Sequence, residues 1–101
     1  MTKYVKSAYK NIVNQVILNK KVQNQLKKAP HHIVRKLQMW AEQVEMLGIR
    51  DARKISGYHD EPLQSDRKGQ RSIRLSKSYR AFYIEHEFDI IEVIEVNKHE
   101  Y

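Results

Sequence analysis

Between Pro30 and Leu47 the apolar residues Ile33, Leu37, Trp40, Val44 and Leu47 return at steps of three and four, the spacing that lines one face of an α-helix. Pro30 suits the first turn of such a helix, and Gly48 suits its end. Lys20 to Ala29 predicts a shorter helix with Val22 and Leu26 facing inward. Pro30 disfavours helical geometry in the residue before it and so separates the two, which makes them a helical hairpin. Upstream the signals conflict. Val5, Tyr9, Ile12 and Val16 fit a helical period, whereas Val13 to Leu18 is a β-branched run; periodicity alone favours a helix there.

After Gly57 the pattern changes. Arg71 to Leu75, Tyr79 to Glu85 and Phe88 to Val96 are short runs rich in Ile, Val, Tyr and Phe, as expected of strands. The breaks between them, Ser76 to Ser78 and His86-Glu87, are hairpin-sized, so consecutive strands should be antiparallel neighbours. Helices first and a strand meander second predict an α+β fold. At 101 residues, without repeats or a Gly/Ser linker, the chain is expected to form one domain over residues 1–101.

A three-residue loop at Ser76, Lys77 and Ser78 would pair Leu75 with Tyr79, Arg74 with Arg80, Ile73 with Ala81 and Ser72 with Phe82. Alternation then sorts the side chains. Ile73, Leu75, Tyr79, Ala81 and Tyr83 would face the helices, while Ser72, Arg74, Arg80 and Phe82 would face away. Two arginines directly opposite each other cost on the order of 0.2 to 1 kcal/mol, so folding alone does not favour the arrangement. A phosphate gripped between two guanidinium forks reverses the sign. The competing expectation is an ordinary surface ion pair, with Glu85, Glu92 or Glu95 on one of the arginines.

Charge extends this picture. Nineteen lysines and arginines against twelve acids give a net charge of +7, which favours an anionic partner such as nucleic acid. Arg67, Lys68 and Arg71 surround Gly69 in the loop entering the hairpin, where the backbone of a bound strand would run. His59 lies in the loop from Gly57 to Pro62, and His99 and Tyr101 follow the last predicted strand. A histidine titrates near neutrality, and a tyrosine can relay a proton or stack on a base, so these residues are candidates for RNA cleavage. The absence of cysteine removes disulfides, thiolate catalysis and cysteine-based zinc sites;. The histidines lack a metal-binding spacing and Asp60-Glu61 stands alone as an acidic pair, so neither a metal nor another cofactor is expected. A metal-free reaction in which the 2′-hydroxyl attacks the adjacent phosphate fits best. Without a membrane span or secretory leader, a cytoplasmic location is expected.

The stretches Lys54-Ile55-Ser56-Gly57-Tyr58-His59-Asp60-Glu61-Pro62-Leu63 and Asp66-Arg67-Lys68-Gly69-Gln70-Arg71-Ser72-Ile73-Arg74-Leu75 carry a family resemblance. With Ser78-Tyr79-Arg80-Ala81 and Val96-Asn97-Lys98-His99-Glu100-Tyr101, they resemble the RelE/HigB-type toxins of bacterial toxin–antitoxin pairs. The resemblance covers approximately Gln15 to Tyr101 and marks Met1 to Lys10 as an extension. It implies an opening strand, a two-helix hairpin and three further strands in a mostly antiparallel sheet, and so a strand rather than a helix at Val13 to Leu18. It also implies ribosome-dependent cleavage of messenger RNA and neutralisation by a cognate antitoxin that often binds DNA. Arg74 and Arg80 resemble the family's sheet-borne cations, and His99 and Tyr101 fall in its catalytic tail. His59 and Arg67 also match. Ser72 stands where some members are strongly basic, and Ser65 where a glycine is common. The rival on the same fold is a ParE-like toxin, which inhibits DNA gyrase and is not a nuclease.

Overall fold

The computed structural model describes the backbone of residues 3–4 and the whole of residues 12–98. His99 and Tyr101 lie outside the described residues, as does most of the segment from Met1 to Lys10. The elements in chain order are β1 (Lys3–Tyr4), β2 (Gln15–Leu18), α1 (Lys20–Lys28), α2 (His31–Leu47), α3 (Ile49–Ala52), β3 (Glu61–Pro62), β4 (Arg71–Arg74), β5 (Tyr79–His86) and β6 (Ile90–Lys98). The described strands form one sheet in the order β1-β2-β6-β5-β4-β3. Only the β2–β6 pairing is parallel; the others are antiparallel. The expected α+β architecture is present, with β1, β3 and α3 as additions that the sequence pattern did not predict.

The helices form where their caps and apolar spacing agree. Asn19 caps α1 by accepting the Val22 N–H at 2.9 Å, and Pro30 stands immediately before α2. Gly48 ends α2 with φ at +87°, where an added Cβ would lie 2.8 Å from the Val13 side chain. Val22, Ile33, Leu37, Trp40 and Val44 are buried against Val16, Ile73, Ala81, Tyr83, Ile91 and Val93 of the sheet. At Gln15–Leu18 the helical expectation fails and the strand implied by the family resemblance is found. Four residues that pair with β6, two of which also pair with β1, gain more from ladder bonds and from burying Val16 than from an isolated turn of helix.

Two local departures matter. Strand β6 was expected to begin at Phe88, but Phe88 and Asp89 both have φ at +61° and form the turn, with Phe88 90% exposed. Between Phe82 and Tyr83 the β5–β6 register slips: Phe82 pairs with Glu95 but Tyr83 pairs with Val93, leaving Ile94 as the extra residue of a bulge;. The Asn19 amide donates to the Ile94 carbonyl at 3.2 Å, and the Gln25 side chain accepts the Val96 N–H at 2.6 Å. Helix α1 thus clamps the strand on both sides of the slip. Because the bulge changes the phase, Val93 and Val96 both reach the core while Glu95 and Asn97 turn to the other face.

Candidate nucleic-acid interface

The β4–β5 register is the expected one: Ser72 lies opposite Phe82, Ile73 opposite Ala81 and Arg74 opposite Arg80. Directly opposed residues share a face. Ile73, Ala81 and Tyr83 are therefore buried on the helix side, and Arg74, Arg80 and Phe82 are part-buried on the other. The sheet brings the two arginines together. Arg74 has no hydrogen-bond or ion-pair partner among the described residues. Arg80 donates from Nη1 to the Ser72 hydroxyl at 2.9 Å and to Glu61 Oε1 at 3.2 Å, which leaves its Nε and Nη2 without a partner among the described residues. The arginine fork still has an open edge.

Glu61 was read from the sequence only as half of an acidic pair. Strand β3 sets it opposite Ser72, beside Arg80. The carboxylates expected to compete for the arginines are engaged elsewhere: Glu85 with Arg53, Glu92 with His86, and Glu95 with Arg67 and Lys21. What could have signalled Glu61 is its position one residue after Asp60 in an extended segment, which sends the two side chains to opposite sides of the sheet.

Arg67 reaches the same outer face. Its guanidinium lies 4.2 Å from the centre of the Phe82 ring, and it donates to Glu95 and Gln70, both at 2.9 Å. Burial works against the Glu95 charge, but the hydrogen bonds and charges of Arg67 and Lys21 outweigh it and hold its carboxyl below the usual range. Ser72 is wholly buried on this face, so the site is a shaped surface and not a bare sheet. Lys68 and His59 are exposed, and His59 takes a left-handed conformation, φ +47°.

Arg71 does not join them. It lies on the helix side, opposite Tyr83, and its Nε donates to Asp60 Oδ1 at 2.7 Å. The Asp60 side chain is 1% exposed and also accepts a short hydrogen bond from the Tyr83 hydroxyl. Burial disfavours the Arg71 charge, but Asp60 more than compensates and raises its pKa. Burial, reinforced by the bond to Asp60, also pushes the Tyr83 phenol well up. The Tyr83 ring packs 5.2 Å from Trp40, so this cluster ties the loop bearing His59 and Glu61 to the core. Among the described residues no three of His, Asp and Glu gather into a metal-binding group.

No protein-family model matches the chain, and no curated protein sequence matches it. Solved structures do match. YafQ from E. coli strain BL21(DE3) superposes with a TM-score of 0.66 at 17% identity, over 84% of this chain and 92% of that one. The YoeB–YefM complex from Staphylococcus aureus gives 0.65 at 15% identity, over 87% and 98%. The toxin–antitoxin complex RelBE2 from Mycobacterium tuberculosis gives 0.61 at 19% identity, over 82% and 94%. The chain has the RelE-type toxin fold.

Within this RelE-type fold the arginine face is separate from a cleft beside α3. The cleft, about 400 Å³, is lined by Asn14, Leu47, Arg50, Glu85 and His86 among others. His86 ends β5 and Arg80 lies near its start, so the two are about 20 Å apart along the strand. A polymer needs a surface to lie across, not an enclosed pocket. The arginine face is such a surface, with Arg74 and Arg80 directly opposed, the Glu61 carboxylate beside Arg80, and the Arg67 guanidinium over the Phe82 ring.

Proposed function

We propose that this chain is the toxin of a toxin–antitoxin pair and acts as a metal-independent endoribonuclease on messenger RNA engaged by the ribosome. The observation that carries the reading is the Arg74–Arg80 pair, directly opposed on the sheet face away from the helices, with one arginine free of partners among the described residues and the other keeping an open edge. The shared fold supports it, and so does the presence of the YoeB and RelBE2 relatives in complexes with a second protein. The partners proposed are therefore a cognate antitoxin and the RNA itself.

In the proposed reaction the 2′-hydroxyl attacks the adjacent phosphorus, the bond to the 5′-oxygen breaks, and a 2′,3′-cyclic phosphate forms. Arg74 and Arg80 neutralise the charge that grows on the non-bridging oxygens, where pre-placed donors act most strongly. Glu61 takes the proton from the 2′-hydroxyl, and His99 or Tyr101 returns one to the departing 5′-oxygen. Arg67 and Lys68 hold the flanking backbone, and His59 borders the strand's path. Arg71 is withdrawn from the RNA-binding set, because its guanidinium is committed to Asp60 on the other side of the sheet.

The test is expression of the wild type and of Arg80→Ala in cells, with messenger RNA ends mapped on translating ribosomes. Codon-phased cuts that vanish in the variant are expected. Intact transcripts together with arrested gyrase would overturn the nuclease reading in favour of the ParE-like one.

A further inference from the structure

In the proposed reaction Glu61 must meet a 2′-hydroxyl, yet its own contacts hold it weakly. Its side chain is 56% exposed and bonds Arg80 at 3.2 Å. It stands opposite Ser72 on β3, an edge strand of only two residues. The second of them, Pro62, has no N–H to give to a ladder. So short a strand opens easily on its own. On the other side the chain enters through His59, at φ +47°, a left-handed conformation that costs most residues energy.

The residue between His59 and Glu61 supplies what is missing. Asp60 turns to the helix side of the sheet, and its side chain is 1% exposed. Its two oxygens go to two different strands: Oδ1 accepts from Arg71 Nε of β4 at 2.7 Å, and Oδ2 accepts from the Tyr83 hydroxyl of β5. Arg71 and Tyr83 are themselves directly opposed, so the carboxylate closes a cross-strand pair. The Tyr83 oxygen already accepts from Arg53 Nε at 3.4 Å, which leaves its own proton directed at Asp60. The ring is buried beside Trp40 and cannot follow a moving loop. A carboxylate bonded at both oxygens has little torsional freedom, and in an extended segment the next side chain then points to the opposite face at a fixed offset.

We infer that Asp60 is the positioning residue of the site and that the Tyr83 hydroxyl, acting through Asp60, fixes where the Glu61 carboxylate meets the 2′-hydroxyl. The inference rests on the endoribonuclease reading, in which Glu61 is the base. The device acts on rate and not on binding. Arg74 and Arg80, which meet the phosphate, stand on β4 and β5 and pair with each other, so loosening β3 leaves them in place. A reacting group displaced by about 1 Å costs on the order of 100-fold in rate, and loosening without full displacement costs less.

The experiment is single-turnover cleavage of messenger RNA on translating ribosomes by the full chain, with the saturated rate and the half-saturating concentration read separately. Tyr83→Phe removes one oxygen and leaves the ring on Trp40. It is expected to lower the saturated rate about tenfold and to keep half-saturation within about twofold. The decisive arm adds the substitution to Glu61→Gln. Once the base is gone its position no longer counts, so Tyr83→Phe should then cost less than about twofold more. Equal losses in both backgrounds make Tyr83 a general structural residue and overturn the inference. Should Tyr83→Phe fail to melt cooperatively above the assay temperature, Arg71→Lys carries the same cycle, since it keeps the charge beside Asp60 and loses the planar guanidinium. No cleavage by the wild type removes the nuclease reading and this inference with it. Cleavage by the wild type that Tyr83→Phe leaves at full rate removes the inference alone.

Discussion

Two neighbouring carboxylates, Asp60 and Glu61, each hold an arginine of the β4–β5 hairpin, and the two pairs have opposite characters. Asp60 is buried, bonds Arg71 at 2.7 Å and is capped by the Tyr83 hydroxyl. Glu61 is 56% exposed and meets Arg80 at 3.2 Å. The residue types are nearly the same; the side of the sheet makes the difference. On the helix side, water is excluded and every lone pair must be satisfied, so the pair becomes part of the framework. On the outer side the pair is weak and exchangeable, so an incoming phosphate can share the guanidinium and a hydroxyl can approach the carboxylate.

The widest separation of the two pairs should come from Arg80→Ala. RNA cleavage is expected to fall about 100- to 1,000-fold, as on loss of one pre-placed donor to a developing oxyanion, while urea unfolding shifts by less than about 1 kcal/mol. A variant that unfolds instead would show that Arg80 is framework. Asp60→Asn should do the reverse and lower stability by about 3 kcal/mol, because Arg71 is left facing a neutral amide in a buried site. Denaturation of that variant at wild-type stability would break the comparison. Glu61→Gln should leave unfolding almost untouched and reduce the rate of cleavage about 100-fold with little change in RNA affinity; an affinity loss without a rate loss would make Glu61 a binding group.

The smallest effect concerns pH. Glu95 has its folded-state pKa held below the ordinary carboxylate value, so its contribution is complete above that ordinary value and is lost as acid lowers the pH through the depressed one. Glu95→Gln should flatten the acid side of the stability profile by about 1 kcal/mol. Tyr83 runs the other way. Its pKa is raised above 10, so stability that depends on the protonated phenol is present below pH 10 and declines as the pH rises further, a decline that Tyr83→Phe should remove.

Much of this was legible in the residues. The apolar steps and caps around Pro30 and Gly48 located both long helices, and the turn residues at Ser76 to Ser78 set the register that opposes Arg74 and Arg80. Arg71 was misplaced because a charge run in a loop carries no information about faces; its partner, Asp60, is eleven residues away. The bulge at Ile94 was readable in principle, since Ile91, Val93 and Val96 break strict alternation, but a single irregular step is ambiguous without the partner strand. His99 and Tyr101 remain proposals from the family resemblance, beyond the described residues.

The sequence by itself determined the local matters: periods of 3.6 and 2, the caps, the turn, and hence which residues stand opposite one another across one hairpin. Each of these depends on neighbours within a few positions. Only the tertiary structure decided which carboxylate meets which arginine, and that Glu95 and Asn97 face outward. Those outcomes depend on burial and on pairing between segments far apart in the chain, and local pattern does not encode the loss of water that turns one ion pair into framework and leaves its neighbour open to a ligand.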